Sequence, residues 1–476
     1  MEMEKDYIFA NKINEECGVF GIYNVSEQAA SMTYFGLHAL QHRGQEAAGI
    51  AASDGESITC YKGKGLLTEV FNPQIIDTLP GRHALGHVRY SKEDANQIEN
   101  VQPIMVRAHT GHFAVAHNGQ IVNAKELKEE LEDLGSIFQG ESDSEMLAHW
   151  IQRESGSFVE KITKACRRFE GAFAFIIMTK DCMYAVRDHN GLRPLAIASL
   201  EDGGYCVSSE TCAFDIVGAK YIRDVEPGEI IRIASDDSEP LKSFFYTDKT
   251  QKKMCAMEYI YFARPDSTID GINVHTARRL SGRALAKVED IEGDIVIGVP
   301  DSSLSAAIGF SEESGLPYEI GLIKNRYVGR TFIQPTQKQR ERGVRMKLSA
   351  IRSIVQGKRV FMIDDSIVRG TTSKRIVQLL KEAGAKEVHV RIASPNFRSP
   401  CFYGVDTSTY DELISAHLTT EEVCKFINAD SLRFLDIDQM KQAFGTPDLC
   451  VSCFDGVYPT KLFSYGEILK KEKEHE

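Results

Sequence analysis

The sequence has no excess of positive charge. Lys and Arg number 56 against 68 Asp and Glu, a formal net charge of −12. That excludes a general nucleic-acid binder, which needs a basic face. No apolar run approaches the roughly 20 residues of a membrane span. The opening Met-Glu-Met-Glu-Lys-Asp is too acidic for a signal peptide. A cytoplasmic protein without a membrane partner is the expectation. The 11 cysteines should then be reduced, and structural, metal-binding or catalytic rather than a disulfide framework. Internal repeats and low-complexity linkers are missing as well.

What is there is ordinary globular composition, 42% hydrophobic and 26% charged over 476 residues. Two or three domains fit that length. Ser, Asp and Lys gather around residues 235–253, where the patterning changes. Before them, short β-rich runs are split by glycine, as in Gly18-Val-Phe-Gly-Ile-Tyr23. After them, apolar strands alternate with helices, which predicts a parallel sheet.

The stretch Val360-Phe-Met-Ile-Asp-Asp-Ser-Ile-Val-Arg-Gly-Thr-Thr-Ser373 carries the clearest chemistry. Val360 to Ile363 reads as a strand buried on both faces. Asp364 and Asp365 follow, then hydroxyls and Gly370, then a helix from Lys374 to Ala383 stopped by Gly384. Ligands in open α/β sheets sit at the carboxyl ends of strands. A polar loop at a helix N-terminus suits a phosphate monoester. The carboxylates beside it can hold vicinal hydroxyls and a divalent metal, so a phosphorylated ribose fits both halves. A bare Asp-Asp would only cap a turn; the flanking strand and hydroxyl–glycine run favour the site.

This stretch resembles the phosphoribosyl-pyrophosphate motif of the phosphoribosyltransferases. The resemblance implies that Asp364 and Asp365 meet the ribose hydroxyls and Mg²⁺, joined at the metal by Ser302 of Pro300-Asp-Ser-Ser. It also implies that Ser366, Ile367, Val368, Arg369, Gly370 and Thr371 cradle the 5′-phosphate. A basic segment begins at Lys324-Asn-Arg-Tyr-Val-Gly-Arg330 and runs on to Lys347. It reads either as solvated surface or as a flap that closes over pyrophosphate and excludes water. Under the flap reading, Lys324 and Arg330 bind phosphoribosyl pyrophosphate.

In the first half, a lone Cys17 beside a strand would usually be core filler. Leu37-His-Ala-Leu-Gln-His-Arg-Gly-Gln-Glu46, Gly86-His-Val-Arg-Tyr90 and Ala116-His-Asn-Gly-Gln120 change that reading. With Cys17 they resemble the class II glutamine amidotransferases, whose glutaminase is an N-terminal-nucleophile hydrolase. The implied fold is a four-layer α-β-β-α sandwich. The implied nucleophile is Cys17 after removal of a propeptide, with its own α-amine as base. Arg89 would hold the glutamine carboxylate, and Asp143 the α-amine. Asn118 and Gly119 would form the oxyanion hole. Gly191-Leu-Arg-Pro-Leu195 and Ser208-Ser-Glu-Thr-Cys-Ala-Phe-Asp215 read as scaffold and nucleophile support. Cys60, Cys166, Cys182, Cys206, Cys212 and Cys424 read as core.

Cys450-Val-Ser-Cys453 is a C-x-x-C pair, with Cys255 and Cys401 far away in sequence. By itself such a pair is redox-active or zinc-binding, and a Cys₄ set serves zinc and iron–sulfur clusters equally. Cys255-Ala-Met-Glu-Tyr-Ile-Tyr-Phe262 and Pro400-Cys-Phe-Tyr-Gly404 resemble the iron–sulfur subgroup of one family. That resemblance implies a [4Fe–4S] cluster on Cys255, Cys401, Cys450 and Cys453.

Over nearly its full length the chain resembles the amidophosphoribosyltransferases of the Gram-positive iron–sulfur type. The implied order is propeptide 1–16, glutaminase 17–247, and an α/β phosphoribosyltransferase domain 248–476 with the cluster cysteines and a helical tail. The implied activity opens purine synthesis. Cys17 releases ammonia from glutamine, and ammonia crosses inside the protein to displace pyrophosphate from the ribose C1. Mg²⁺ and a structural [4Fe–4S] cluster are the implied cofactors. A homotetramer inhibited by purine nucleotides is the implied assembly. Other readings are a hexosamine-phosphate synthase, which would lack the Asp364-Asp365 loop, and a non-catalytic phosphoribosyl-pyrophosphate sensor, which would not need Cys17, Arg89 and Asn118 together. The chain departs from the family pattern at Lys92-Glu93-Asp94 and at Gly140-Glu141, where Thr is usual. A glutaminase with weakened glutamine binding and intact ammonia-dependent activity is therefore also an expectation.

Overall fold

Strand Gly18–Tyr23 is buried along its whole length. Val19 and Tyr23 face one core, with Ala116, Ile176 and Met183, while Phe20 and Ile22 face another, with Leu37, Leu40 and Val88. A strand with two apolar faces belongs inside a stack of layers. In this computed structural model, residues 17–26, 28–90, 97–109, 111–235, 239–325, 348–407, 409–467 and 469 are described. The leader 1–16, Lys92-Glu93-Asp94, and the basic segment 326–347 with Arg330 lie outside the described residues.

The first sheet has seven antiparallel strands, in the order Lys220–Asp224, Ala196–Ser199, Tyr205–Ser208, Gly18–Tyr23, His83–Arg89, Ala47–Ser53, Ile58–Lys64. The second has six, in the order Leu241–Phe245, Glu229–Ala234, Cys182–Arg187, Gly171–Thr179, Gly111–Ile121, Ile104–Ala108. Helix Ala29–Ala39 covers the outer face of the first sheet. Helices Ala124–Asp133, Asp143–Arg153 and Phe158–Cys166 cover the second, packing Leu131, Trp150 and Ile162 over Phe113 and Phe173. The result is an α-β-β-α sandwich. Of the six cysteines read as core, Cys166, Cys182, Cys206 and Cys212 are buried, whereas Cys60 and Cys424 are only half-buried.

The second half carries a parallel sheet in the order Ile295–Gly298, Arg359–Asp364, Glu387–Ile392, Ser431–Phe434. Phe361 and Ile363 pack against helices Val274–Lys287 and Leu304–Ser314 through Ala277, Ala307 and Phe310. Val360 and Met362 pack against helices Thr371–Glu382 and Thr420–Ile427 through Val377, Leu380 and Val423. Asp364 thus ends a central strand covered on both faces. The helix after it begins at Thr371, three residues before the sequence expectation, because Gly370 takes the N-cap with φ +76°.

Candidate active sites

Cys17 precedes the first strand, which runs antiparallel to His83–Arg89 with Gly18 opposite Val88 and Val19 opposite His87. That register brings the half-buried Cys17 thiol to 3.8 Å from the Tyr90 carbonyl. It also places Arg89 nearby: burial lowers the guanidinium pKa, and Cys17 opposes the shift. Ser209 fixes the strand start from the other side. Its hydroxyl accepts the Val19 N–H at 3.0 Å and its own N–H donates to the Val19 carbonyl at 3.0 Å. The support role read for Ser208-Ser-Glu-Thr therefore has a concrete form.

Asn118 and Gly119 lie in the facing sheet, opposite Ala174 and Phe173. His87 ties the sheets together here, with Nε2 3.1 Å from the His117 carbonyl. Burial, with Arg89 as the next cause, pushes the His87 imidazole down to about 3; burial pushes His117 to about 3 too. Both are therefore neutral at pH 7, and His87 donates. The Asn118 side chain is fully buried, and among the described residues neither its amide nitrogen nor its oxygen has a hydrogen-bond partner. Gly119 has φ +132°, and a Cβ there would sit 2.2 Å from the Ala172 carbonyl oxygen. Only glycine fits that approach. Such a backbone and amide can stabilise a developing oxyanion.

Asp143 opens helix Asp143–Arg153, and its carboxylate accepts the Ile121 N–H at 2.8 Å. Burial pushes the carboxyl up to about 6, against the pull of that N–H. Gln102, which the motifs did not single out, links the same two elements. Its side-chain oxygen accepts the His117 N–H at 2.6 Å and the Ser144 hydroxyl at 3.0 Å. The loop before Asp143 is anchored: Glu141 N donates to Asn100 Oδ1 at 2.8 Å and Gly140 N to Glu145 Oε2 at 2.8 Å.

In the second site Asp364 and Asp365 are buried at the end of strand Arg359–Asp364. The Ser302 hydroxyl donates to Asp365, and Ser303 donates to Asp364 Oδ1 at 3.0 Å. Ser366 donates to Asp365 Oδ1 at 2.7 Å. The two strand ends therefore converge as the sequence implied. Ile367 and Val368 turn their side chains into the core. Arg369 pairs with Glu412 at 2.5 Å, and Lys324 with Asp301 at 2.9 Å. A narrow cavity at Asp365 is lined by Arg278, Ser281, Ser302, Ser303 and Phe444. Burial lowers the Arg278 pKa to about 10, opposed by Asp365. Arg278 was not singled out from sequence; its signal is a cation on the otherwise apolar stripe Val274, Ala277, Leu285 of its helix.

Cys255 and Cys450 are directly paired in a short parallel ladder, Met254–Cys255 with Leu449–Cys450. Burial, then the neighbouring Cys255, Cys401 and Cys450, pushes the Cys453 thiol well above its usual range. All four thiols therefore share one neighbourhood. Among the described residues, no three His, Cys, Asp or Glu side chains converge on a point that would hold a single metal ion. No described helix is long and apolar enough to cross a membrane.

Residues 87–215 match the glutamine amidotransferase domain family, and residues 274–395 the phosphoribosyl transferase domain family. The chain is 54% identical over 460 residues to the amidophosphoribosyltransferase of Bacillus subtilis, covering 95% of each. It is 50% identical to that of Staphylococcus aureus strain Mu50, covering 97% of this chain and 94% of the relative. The solved B. subtilis glutamine phosphoribosylpyrophosphate amidotransferase, complexed with ADP and GMP, superposes with a TM-score of 0.89 at 54% identity, covering 94% of this chain and 98% of that one. These likenesses span both halves, and the chain belongs to the amidophosphoribosyltransferases, the glutamine-dependent pentosyltransferases that carry out the first step of purine biosynthesis.

Proposed function

We propose that the two centres act in sequence on one ammonia molecule. Cys17 is the nucleophile, freed as an N-terminus by loss of residues 1–16, so that its α-amine takes the thiol proton. The thiolate attacks the glutamine carboxamide, Asn118 and Gly119 donate to the oxyanion, and ammonia leaves. Water then hydrolyses the thioester to glutamate. Arg89 holds the substrate carboxylate and Asp143 its ammonium. The observation that carries this half is the buried Asn118 amide nitrogen without a partner among the described residues, a costly arrangement that a substrate oxygen accepting its N–H relieves.

In the second half, Asp364 and Asp365 hold the ribose hydroxyls and Ser366 to Thr371 receives the 5′-phosphate. Lys324 and Arg330 meet the phosphates, and the segment they belong to excludes water. Ser302, Asp364 and Asp365 form a set of hard oxygen donors suited to Mg²⁺, which neutralises charge on the leaving pyrophosphate when bound. Ammonia joins the ribose C1 as the C1–O bond to pyrophosphate breaks, and loses a proton.

The four gathered thiols suit a [4Fe–4S] cluster. Four thiols serve zinc equally; the resemblance of residues 255–262 and 400–404 to the iron–sulfur subgroup favours the cluster. Its role is structural, since neither half-reaction moves electrons. Domain limits of 17–247 and 248–476, a cytoplasmic homotetramer, and inhibition by purine nucleotides belong to the same reading. The ADP and GMP bound by the B. subtilis relative support that inhibition. Steady-state pyrophosphate release with glutamine, Mg²⁺ and phosphoribosyl pyrophosphate tests the whole: release coupled one-to-one to glutamate supports it, and binding without turnover leaves only a sensor.

A further inference from the structure

We infer that Tyr465, near the C-terminus, is a positioning residue for glutamine hydrolysis. The inference rests on the oxyanion role proposed for Asn118 and Gly119. Gln120 immediately follows Gly119, and its side-chain nitrogen donates to the Tyr465 hydroxyl at 3.0 Å. Ile121 N is held by Asp143. The strand end is thus tied from two directions within two residues of the proposed oxyanion donor. Gly119 itself has no slack against the Ala172 carbonyl.

Tyr465 is well placed to act as a fixed post. Its ring packs on Phe402, centroids 4.9 Å apart, directly beside Cys401 in sequence. The adjacent Ser464 N–H donates to Glu126 Oε1 at 3.2 Å, which clips the tail to the helix after the strand. Tyr465, half-buried, packs against a small core of Val122, Ala172, Phe402, Tyr403 and Cys450. Ala172 is the residue whose carbonyl Gly119 approaches, and Val122 follows Ile121 at the end of the same strand. The tail therefore braces the glutaminase strand rather than the Asp364-Asp365 centre. Oxyanion donors must be held in place before the charge develops, and small displacements of such groups are costly in rate.

Tyr465→Phe removes the hydroxyl and keeps the ring; Gln120→Leu removes the other partner. Each is expected to lower glutamine-dependent kcat by roughly three- to tenfold, the span of one neutral hydrogen bond. KM for glutamine and ammonia-dependent synthesis should stay at parent values, and the double variant should be no worse than either single one. Unchanged glutamine kcat in Tyr465→Phe overturns the inference, as does an equal loss with ammonia or a fully multiplicative double variant. Asn118→Ala separates the underlying reading. If that variant keeps parent kcat with glutamine, the oxyanion assignment itself fails; if it is impaired while Tyr465→Phe is normal, only the role of Tyr465 falls.

Discussion

Arg43 and Glu258 form an ion pair with neither side chain exposed, 0% on each partner. Arg43 follows the first sheet's helix, and Glu258 opens the short helix Glu258–Phe262 ahead of the parallel-sheet half. Arg193 joins Glu258 at 3.4 Å and also donates to the Tyr403 carbonyl. Glu210 takes Arg43 Nε at 2.5 Å, the Ser267 hydroxyl at 2.6 Å and the Arg264 N–H at 2.9 Å. Burial alone would raise the Glu210 carboxyl; Arg43 and His42 hold it well below the usual range. The two halves are thus joined by charges that cannot reach water.

Glu258→Gln should therefore destabilise the protein strongly. It leaves guanidinium charge buried and undercompensated, a loss of about 3–5 kcal/mol for a broken buried pair. Thermal unfolding followed by calorimetry should show a midpoint lower by several degrees. A midpoint equal to the parent's would mean that solvent reaches the pair.

Glutamine use should titrate with Asp143. Its carboxyl lies at about 6 in the folded chain, against about 3.9 when unfolded. The raised value means that the folded state binds the proton more tightly. Ionising the buried group costs stability above about pH 6, and that cost is absent below the unfolded value. Holding the glutamine ammonium needs the ionised form. For glutamine hydrolysis, kcat/KM should fall as pH drops through about 6, and Asp143→Asn should be weak at every pH. A parent profile without an acid limb near 6 counts against the assignment.

Gly140→Thr, which places a Thr in the departing stretch Gly140-Glu141, should harm this chain. A Cβ at Gly140 would lie 2.3 Å from Asn100 Oδ1, the oxygen that accepts the Glu141 N–H. Overpacking of this kind costs about 1–3 kcal/mol, and the strain falls on the loop leading to Asp143. We expect a higher KM for glutamine with ammonia-dependent synthesis unchanged. A lower KM would show that the departure at Gly140 weakens glutamine binding rather than accommodating Asn100, and a parent KM would show that the loop absorbs the added side chain.

The strand before Asp364-Asp365, its polar loop and the glutaminase motifs were legible because each is local. A strand, a glycine with forced backbone and a cap leave their mark within a dozen residues. Gly370 is the clearest case, since its φ of +76° caps the helix that begins at the next residue. Arg278, Gln102 and Tyr465 were not legible. Arg278 reaches the cavity at Asp365 from a helix about 85 residues earlier, and Tyr465 meets Gln120 across 345 positions. Their partners are set by tertiary packing: the cation on the apolar stripe of its helix marks Arg278 as unusual but does not say that it meets Asp365, and Gln102 and Tyr465 carry no periodic mark at all. The Arg43–Glu258 pair is hidden for the same reason.

The cysteine centre makes a separate claim. Anaerobically purified protein should be brown and carry iron and sulfide. Cys450→Ser should lose the visible absorption and lower the thermal midpoint, because Cys450 also sits in the ladder with Cys255 and in the core shared with Phe402. Stoichiometric zinc with no visible absorption would refute the cluster.

The most direct test of two chemistries on one chain is pyrophosphate release by Cys17→Ala, with glutamine or with ammonium as nitrogen source. Release should fall to background with glutamine and stay at the parent rate with ammonium, because Cys17 lies in the sandwich and Asp364 and Asp365 end a strand of the parallel sheet. Parent-level release with glutamine, or loss of release with ammonium in a folded variant, would contradict it.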